Sequence, residues 1–157
     1  MAATAAEARF RINAPSFTRR ATRVVALDEG ATSVISLVAD RPWAGARFFS
    51  FSADEQPGNG NADDIVLRSA DGSTTRLSAE LADADVMVMI ATAEDGAAAA
   101  SAIGHACTQR GITTAGLIFG ERGDVREAVA ALRPHARVLM ASNDEHDVSD
   151  MLTALRA

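Results

Sequence analysis

Short apolar runs alternate along the chain with stretches whose apolar positions fall at helical spacing. Residues 23–27 form a compact apolar run that stops at Asp28-Glu29-Gly30. Val34, Leu37 and Val38 then share one helix face, and Pro42 closes that segment. Residues 47–51 predict a second strand, rich in phenylalanine, and residues 52–63 predict a loop from their Gly, Asn and Pro content. Ile65, Val66 and Leu67 predict a third, short strand. Asp71-Gly72 is a turn signal that leads either into a hairpin over 74–77 or into a short helix over 78–84, and the helix is the preferred expectation. Residues 86–90 (VMVMI) lack polar alternation, which predicts a strand buried on both faces. Ala97–Gln109 predicts a helix by propensity, stopped by Gly111. Residues 112–119 predict the next strand. Val125, Ala128, Val129 and Leu132 make a helix stripe ended by Pro134, residues 137–141 a strand, and Val148, Met151, Leu152 and Leu155 a closing helix.

Strands alternating with helices predict a parallel sheet covered on both faces and joined by right-handed crossovers. The expected fold class is a three-layer, Rossmann-like α/β domain with a mostly parallel sheet of six strands in the order 3-2-1-4-5-6. Residues 1–22 are expected to be a basic N-terminal arm, and residues 23–157 a single domain. Ligands of this architecture bind beyond the carboxyl ends of the strands, near the switch point between the first and fourth.

Composition narrows the chemistry. The chain of 157 residues is 48% hydrophobic and has no apolar run of membrane-spanning length. Its single cysteine, Cys107, excludes an internal disulfide framework and a cysteine cage for a metal. All 15 basic residues are arginine, so a P-loop lysine and a Schiff base are excluded, and no tyrosine is present to act as an acid. Arg9, Arg11, Arg19, Arg20 and Arg23 lie in the first 23 residues against Glu7 alone, which leaves an acidic body. Such a body is a poor nucleic-acid surface, because phosphate contacts need clustered cations. The alanine-rich, lysine-free usage suggests a GC-rich bacterial genome, and the expected compartment is the cytoplasm.

Acidic residues crowd the expected ligand edge. The first strand ends in Asp28, Glu29 and Gly30, the second in Ser52, Asp54 and Glu55, and the fourth in Thr92, Glu94, Asp95 and Gly96. The last strand runs into Ser142, Asn143, Asp144, Glu145 and His146. Phosphate loops need bare N–H groups at a helix start, hence glycines and no nearby anion. Nothing here matches GxGxxG or a Walker A sequence. Asp28, Glu94 and Asp95 are candidate ligands for a divalent cation, and Asp28, Asp95 and His146 are candidate catalytic groups. Helix capping explains the same acids. Asp54 stands where a dinucleotide fold holds a ribose hydroxyl.

The order of these segments resembles the nucleotide-binding domain of FtsZ and tubulin-like GTPases. In that family an Ala-Asp pair leads into an apolar strand, a glycine-rich phosphate loop, a helix and a Gly-Ile-Leu-Thr type strand. Here these read ADVMVMI over 84–90, AEDGAAAASAIGHACTQR, and GITTAGLI over 111–118. VLMASND over 138–144 looks like the family's last strand and its Pro-Asn-Asp signature. RVVALDEGATSVISLV and GARFFSFSAD stand where the family has its first strand, glycine loop and helix, and then its second strand. The resemblance spans residues 23–147 and carries over Gly96 and Asn143 as ligand-edge positions, while Gly30 is a ligand-binding candidate from its place at the end of the first strand. Both phosphate loops depart from the family. Asp28-Glu29-Gly30-Ala31 replaces the first run of glycines, and Glu94-Asp95-Gly96-Ala97 replaces Gly-Gly-Gly-Thr-Gly-Thr-Gly. The family's synergy loop and second domain have no counterpart in this sequence. The resemblance therefore implies the fold without GTP hydrolysis.

The remaining candidates are few. His105 and Cys107 lie two residues apart in one helix and do not share a face. His135 follows Pro134 in an expected turn and is expected to be solvated. Trp43 and Phe48, Phe49 and Phe51 are expected in the core or, for Trp43, at a subunit contact. The expected function is a non-catalytic binding or interaction module for a small ligand, a protein partner or a second copy, with no membrane or nucleic-acid role. The alternatives are a divalent-metal-dependent hydrolase and a dinucleotide-binding protein.

Overall fold

A computed structural model describes residues 20–120 and 125–157. The arginines of the expected arm up to Arg19 lie outside them. Thr22–Ala26 forms β1, Ala46–Phe51 β2, Val66–Ser69 β3, Thr74–Arg76 β4, Val86–Ala91 β5, Thr113–Phe119 β6 and Ala136–Ser142 β7. The helices are α1 (Glu29–Ala39), α2 (Leu77–Leu81), α3 (Ala97–Gln109), α4 (Arg126–Leu132) and α5 (His146–Ala154). The strands make one seven-stranded sheet in the order β4-β3-β2-β1-β5-β6-β7. From β2 across to β7 all neighbours are parallel, while β3 and β4 run antiparallel. The six expected strands thus stand in the expected order, with β4 added outside the third.

That addition corrects the preference for a helix after the Asp71-Gly72 turn. The amide of Gly72 donates to the Ser69 carbonyl at 2.9 Å, Ser69 donates to Ser73 at 2.8 Å, and Gly72 takes φ +86°. This is a three-residue hairpin loop with glycine in the left-handed position. The short helix is also present, as α2, directly after β4.

Alternate strand residues feed two cores. Val24, Ala26, Val88, Ile90 and Leu117 meet Ala31, Ile35 and Val38 of α1 and Val148 and Leu152 of α5. Val25, Met87, Met89 and Ile118 meet Ala99, Ile103 and Ala106 of α3 and Ala128 and Leu132 of α4. β5 is buried at every position, as its unbroken apolar pattern predicts. Leu37 is a correction: it is 60% exposed, because α1 buries the Ala31–Ile35–Val38 stripe instead. α3 ends as predicted at Gly111, with φ +67°. Ile112 N–H reaches the Cys107 carbonyl at 3.0 Å and Gly111 N–H that of Thr108 at 3.2 Å, the paired bonds of a Schellman cap.

A buried ion network ties the strand starts to α2. Arg23 of β1 and Arg47 of β2 are register neighbours, and both reach Glu80 Oε2, at 3.0 and 2.9 Å. Trp43 is half-buried. Its Nε1–H donates to the Val38 carbonyl at 2.8 Å, and its ring packs on Phe48. Among the described residues no helix is long and apolar enough to cross a membrane.

Candidate functional site

The expected ligand edge lies where β1 and β5 part. β1 ends in an extended Asp28, which caps α1 by accepting from Ala31 N–H at 2.8 Å. The same carboxylate reaches across the switch point to the turn after β5. It accepts from Thr92 N–H at 2.7 Å, Thr92 Oγ1 at 2.5 Å and Ala93 N–H at 3.1 Å. An Asp carboxylate offers about four lone-pair positions, and four protein donors are aimed at this one. Asp28 is only 5% exposed. Its carboxylate is thus engaged by the protein's own donors.

The two candidate ligand-edge glycines, Gly30 and Gly96, have their faces occupied. A Cβ on Gly30 would collide with the Thr92 side chain, and one on Gly96 would fall 2.7 Å from Leu27 Cβ and 2.9 Å from its carbonyl oxygen. In a phosphate loop the bare glycine face is turned to the ligand. Here each face is turned to the neighbouring loop, so both glycines serve loop-to-loop packing.

The other acids of this edge diverge. Glu94 Oε2 accepts from Glu127 N–H at 2.7 Å in the first turn of α4. Asp95 is exposed and lines a cleft of about 460 Å³ beside β1 and β2, together with Asp28, Glu29 and Asp54. The cleft lies where a dinucleotide fold places its ribose, and Asp54 is in it. Its lining carries four carboxylates and, among the described residues, no arginine. Such a wall repels a pyrophosphate.

His146 and Asn143 belong to a different part of the edge. They follow β7, three strand spacings from β1, which is about 14 Å across the sheet. His146 is exposed, and its Nδ1 lies 2.7 Å from Asp144 Oδ1. Hydrogen bonding and charge from Asp144 raise the imidazole above its ordinary value, and the His146 backbone N–H, followed by its ring, lowers the Asp144 carboxyl. Asn143 is exposed. Asp144, Glu145 and His146 form the one group among the described residues with three potential metal-ligand atoms within 4.8 Å of one another. Asp28, Glu94 and Asp95 make no such group.

The remaining candidates, Cys107, His105 and His135, stand apart from this edge. Cys107 is buried, and desolvation pushes its thiol up to about 11, where it is inert at neutral pH. His105 is exposed on the same helix. His135 corrects the expectation of a solvated residue. It is half-buried against Gly104, where a Cβ would stand 2.5 Å from its ring, and its Nδ1 lies 3.0 Å from Thr108 Oγ1.

Sequence reasoning named Asp28 but not its partner Thr92. The available signal was a hydroxyl residue directly after the most apolar strand. Glu80 was also missed. Its signal was two arginines at equivalent positions of parallel strands, which need a shared anion. No protein-family model matches the chain, and no curated protein does.

Proposed function

We propose that this chain is a non-catalytic Rossmann-like interaction module, related to the nucleotide-binding domain of FtsZ and tubulin-like GTPases but without nucleotide binding or GTP hydrolysis. One observation carries the reading: the Asp28 carboxylate, held by four donors, ties the β1 and β5 turns together where a phosphate would have to enter. The occupied faces of Gly30 and Gly96 support it, since at these two positions the bare glycine face meets Thr92 and Leu27 rather than open space. Its surroundings are acidic, which opposes a triphosphate on charge alone. The module acts by presenting its surface to a protein partner or a second copy. Its lysine-free composition fits a bacterial cytoplasm.

The metal-dependent hydrolase is disfavoured because Asp28 and Glu94 are each engaged by backbone donors of different elements, and Asp28, Glu94 and Asp95 do not bring three ligand atoms together. The dinucleotide reading retains the place of Asp54 in the cleft, but meets four carboxylates there. Titration calorimetry with GTP, GDP and NAD, each with magnesium, tests all three readings. The expected result is no saturable heat up to millimolar ligand. Micromolar binding of GTP or GDP, or any turnover, overturns the proposal.

A further inference from the structure

We propose that the outer edge of β7 is an interface between two copies of this chain, joined as antiparallel strands about a two-fold axis at Leu139. The two edges of the sheet are built differently. On one side β4 has three residues, Thr74-Thr75-Arg76, short and polar as a protected edge is. On the other, β7 has seven residues and, among the described residues, pairs only with β6. Its register is regular from Val138 to Ser142, and it contains no proline and no lysine. Its open side therefore presents a row of unpaired N–H and C=O groups of the kind that templates another strand.

The side chains of β7 are also left uncovered. Val138 is 49% and Met140 40% exposed. Both line a cleft of about 700 Å³ between β7 and α5, with Met151 and Leu155 on its far wall. A strand added outside β7 gives these residues apolar neighbours on their own face of the sheet.

Charge selects the occupant and its direction. Arg133 and Arg137 stand before and at the start of β7, and neither has an ion-pair partner among the described residues. Glu145 follows its end, beside an Asp144 that already pairs with His146. Antiparallel pairing of two copies brings each arginine end beside the other copy's acidic end, twice per dimer. A parallel pairing sets like charges together. With the axis at Leu139, Val138 of one copy faces Met140 of the other, and Arg137 faces Ala141. The interface is isologous, so it closes at two copies.

The inference is independent of the crevice reading, because nucleotide titration tests that reading and solution mass tests this one. Sedimentation equilibrium of the full chain is expected to give twice the 16.4 kDa chain mass, with dissociation on dilution. Val138→Lys and Met140→Glu, each made alone and both at exposed positions, are expected to weaken the dimer about tenfold or more while circular dichroism stays unchanged. Under mild oxidation, a mixture of Val138→Cys and Met140→Cys chains is expected to cross-link faster than either variant alone. A monomer at every concentration overturns the proposal, whether the edge is bare or covered by residues 1–19. A dimer that survives each single charge substitution, or that shows no cross-linking preference for the mixture, also overturns it.

Discussion

Asp28 holds Thr92 twice, by its backbone amide at 2.7 Å and by its hydroxyl at 2.5 Å, across 64 residues of sequence. This contact joins the two loops that flank the switch point of the sheet. Removing the carboxylate leaves four buried or half-buried donors without an acceptor. Asp28→Ala is expected to destabilise the fold by about 3 kcal/mol, Asp28→Asn by about 2, and Thr92→Val by about 1. Urea denaturation measures all three. The double variant is expected to lose less than the sum, because the two residues share a bond.

The glycines separate packing from ligand binding. Gly96→Ala drives a methyl group into the Leu27 backbone and is expected to cost about 2–3 kcal/mol. Gly30→Ala meets chiefly the Thr92 hydroxyl, with Thr92 Cβ at 3.1 Å and Asp28 Oδ1 at 3.4 Å, so Thr92→Ala in the same chain should relieve most of its steric part. Thermal melts without any ligand read both effects. If Gly96→Ala leaves the melting temperature unchanged, the close approach of these loops is refuted.

At the opposite end of the strands, Glu80 neutralises two arginines. Glu80→Ala leaves the buried Arg23 uncompensated and is expected to cost about 3–5 kcal/mol. Arg47→Ala removes a partner that is largely solvated and should cost less than about 1 kcal/mol. Replacing Arg23 and Glu80 together by Met and Leu should recover most of the loss. Equilibrium unfolding of the three variants tests this ranking.

His146 and Asp144 set a pH dependence whose sign follows from their shifts. The imidazole is raised, so its contribution is full below the ordinary value of 6.5 and fades as pH rises through its folded value. The carboxyl is lowered, so its contribution is full above 3.8 and fades as pH falls through its folded value. The pair therefore helps most between about pH 4 and pH 6.5. Asp144→Asn is expected to bring the His146 midpoint in an NMR titration down toward 6.5, and to narrow its stability deficit as pH rises above that midpoint.

The layer architecture was legible because burial imposes periodicity. VMVMI has no polar position to turn outward, so it had to lie between two helix layers, as β5 does. Leu37 was misread because Ala31 carries too little apolar signal to mark the true stripe, and two adjacent apolar residues, 37 and 38, compete for it. The β3–β4 hairpin was half legible: Asp71-Gly72 marks the turn, but a strand of three polar residues has no pattern of its own. At the candidate site each residue was visible and each pairing was not. Asp28 reads equally well as a cap, a metal ligand or a base until Thr92 and Ala93 are seen against it. Likewise His135 looks solvated until Gly104, on another element, leaves room for its ring.

Hydrogen exchange at the amides of Ala31, Thr92 and Ala93 probes the Asp28 contact directly, with and without millimolar GTP and magnesium. The account predicts protection approaching that of the β5 core in the free protein, unchanged by nucleotide. Fast exchange at these amides in the free chain, or protection that arises only when GTP is added, would contradict it.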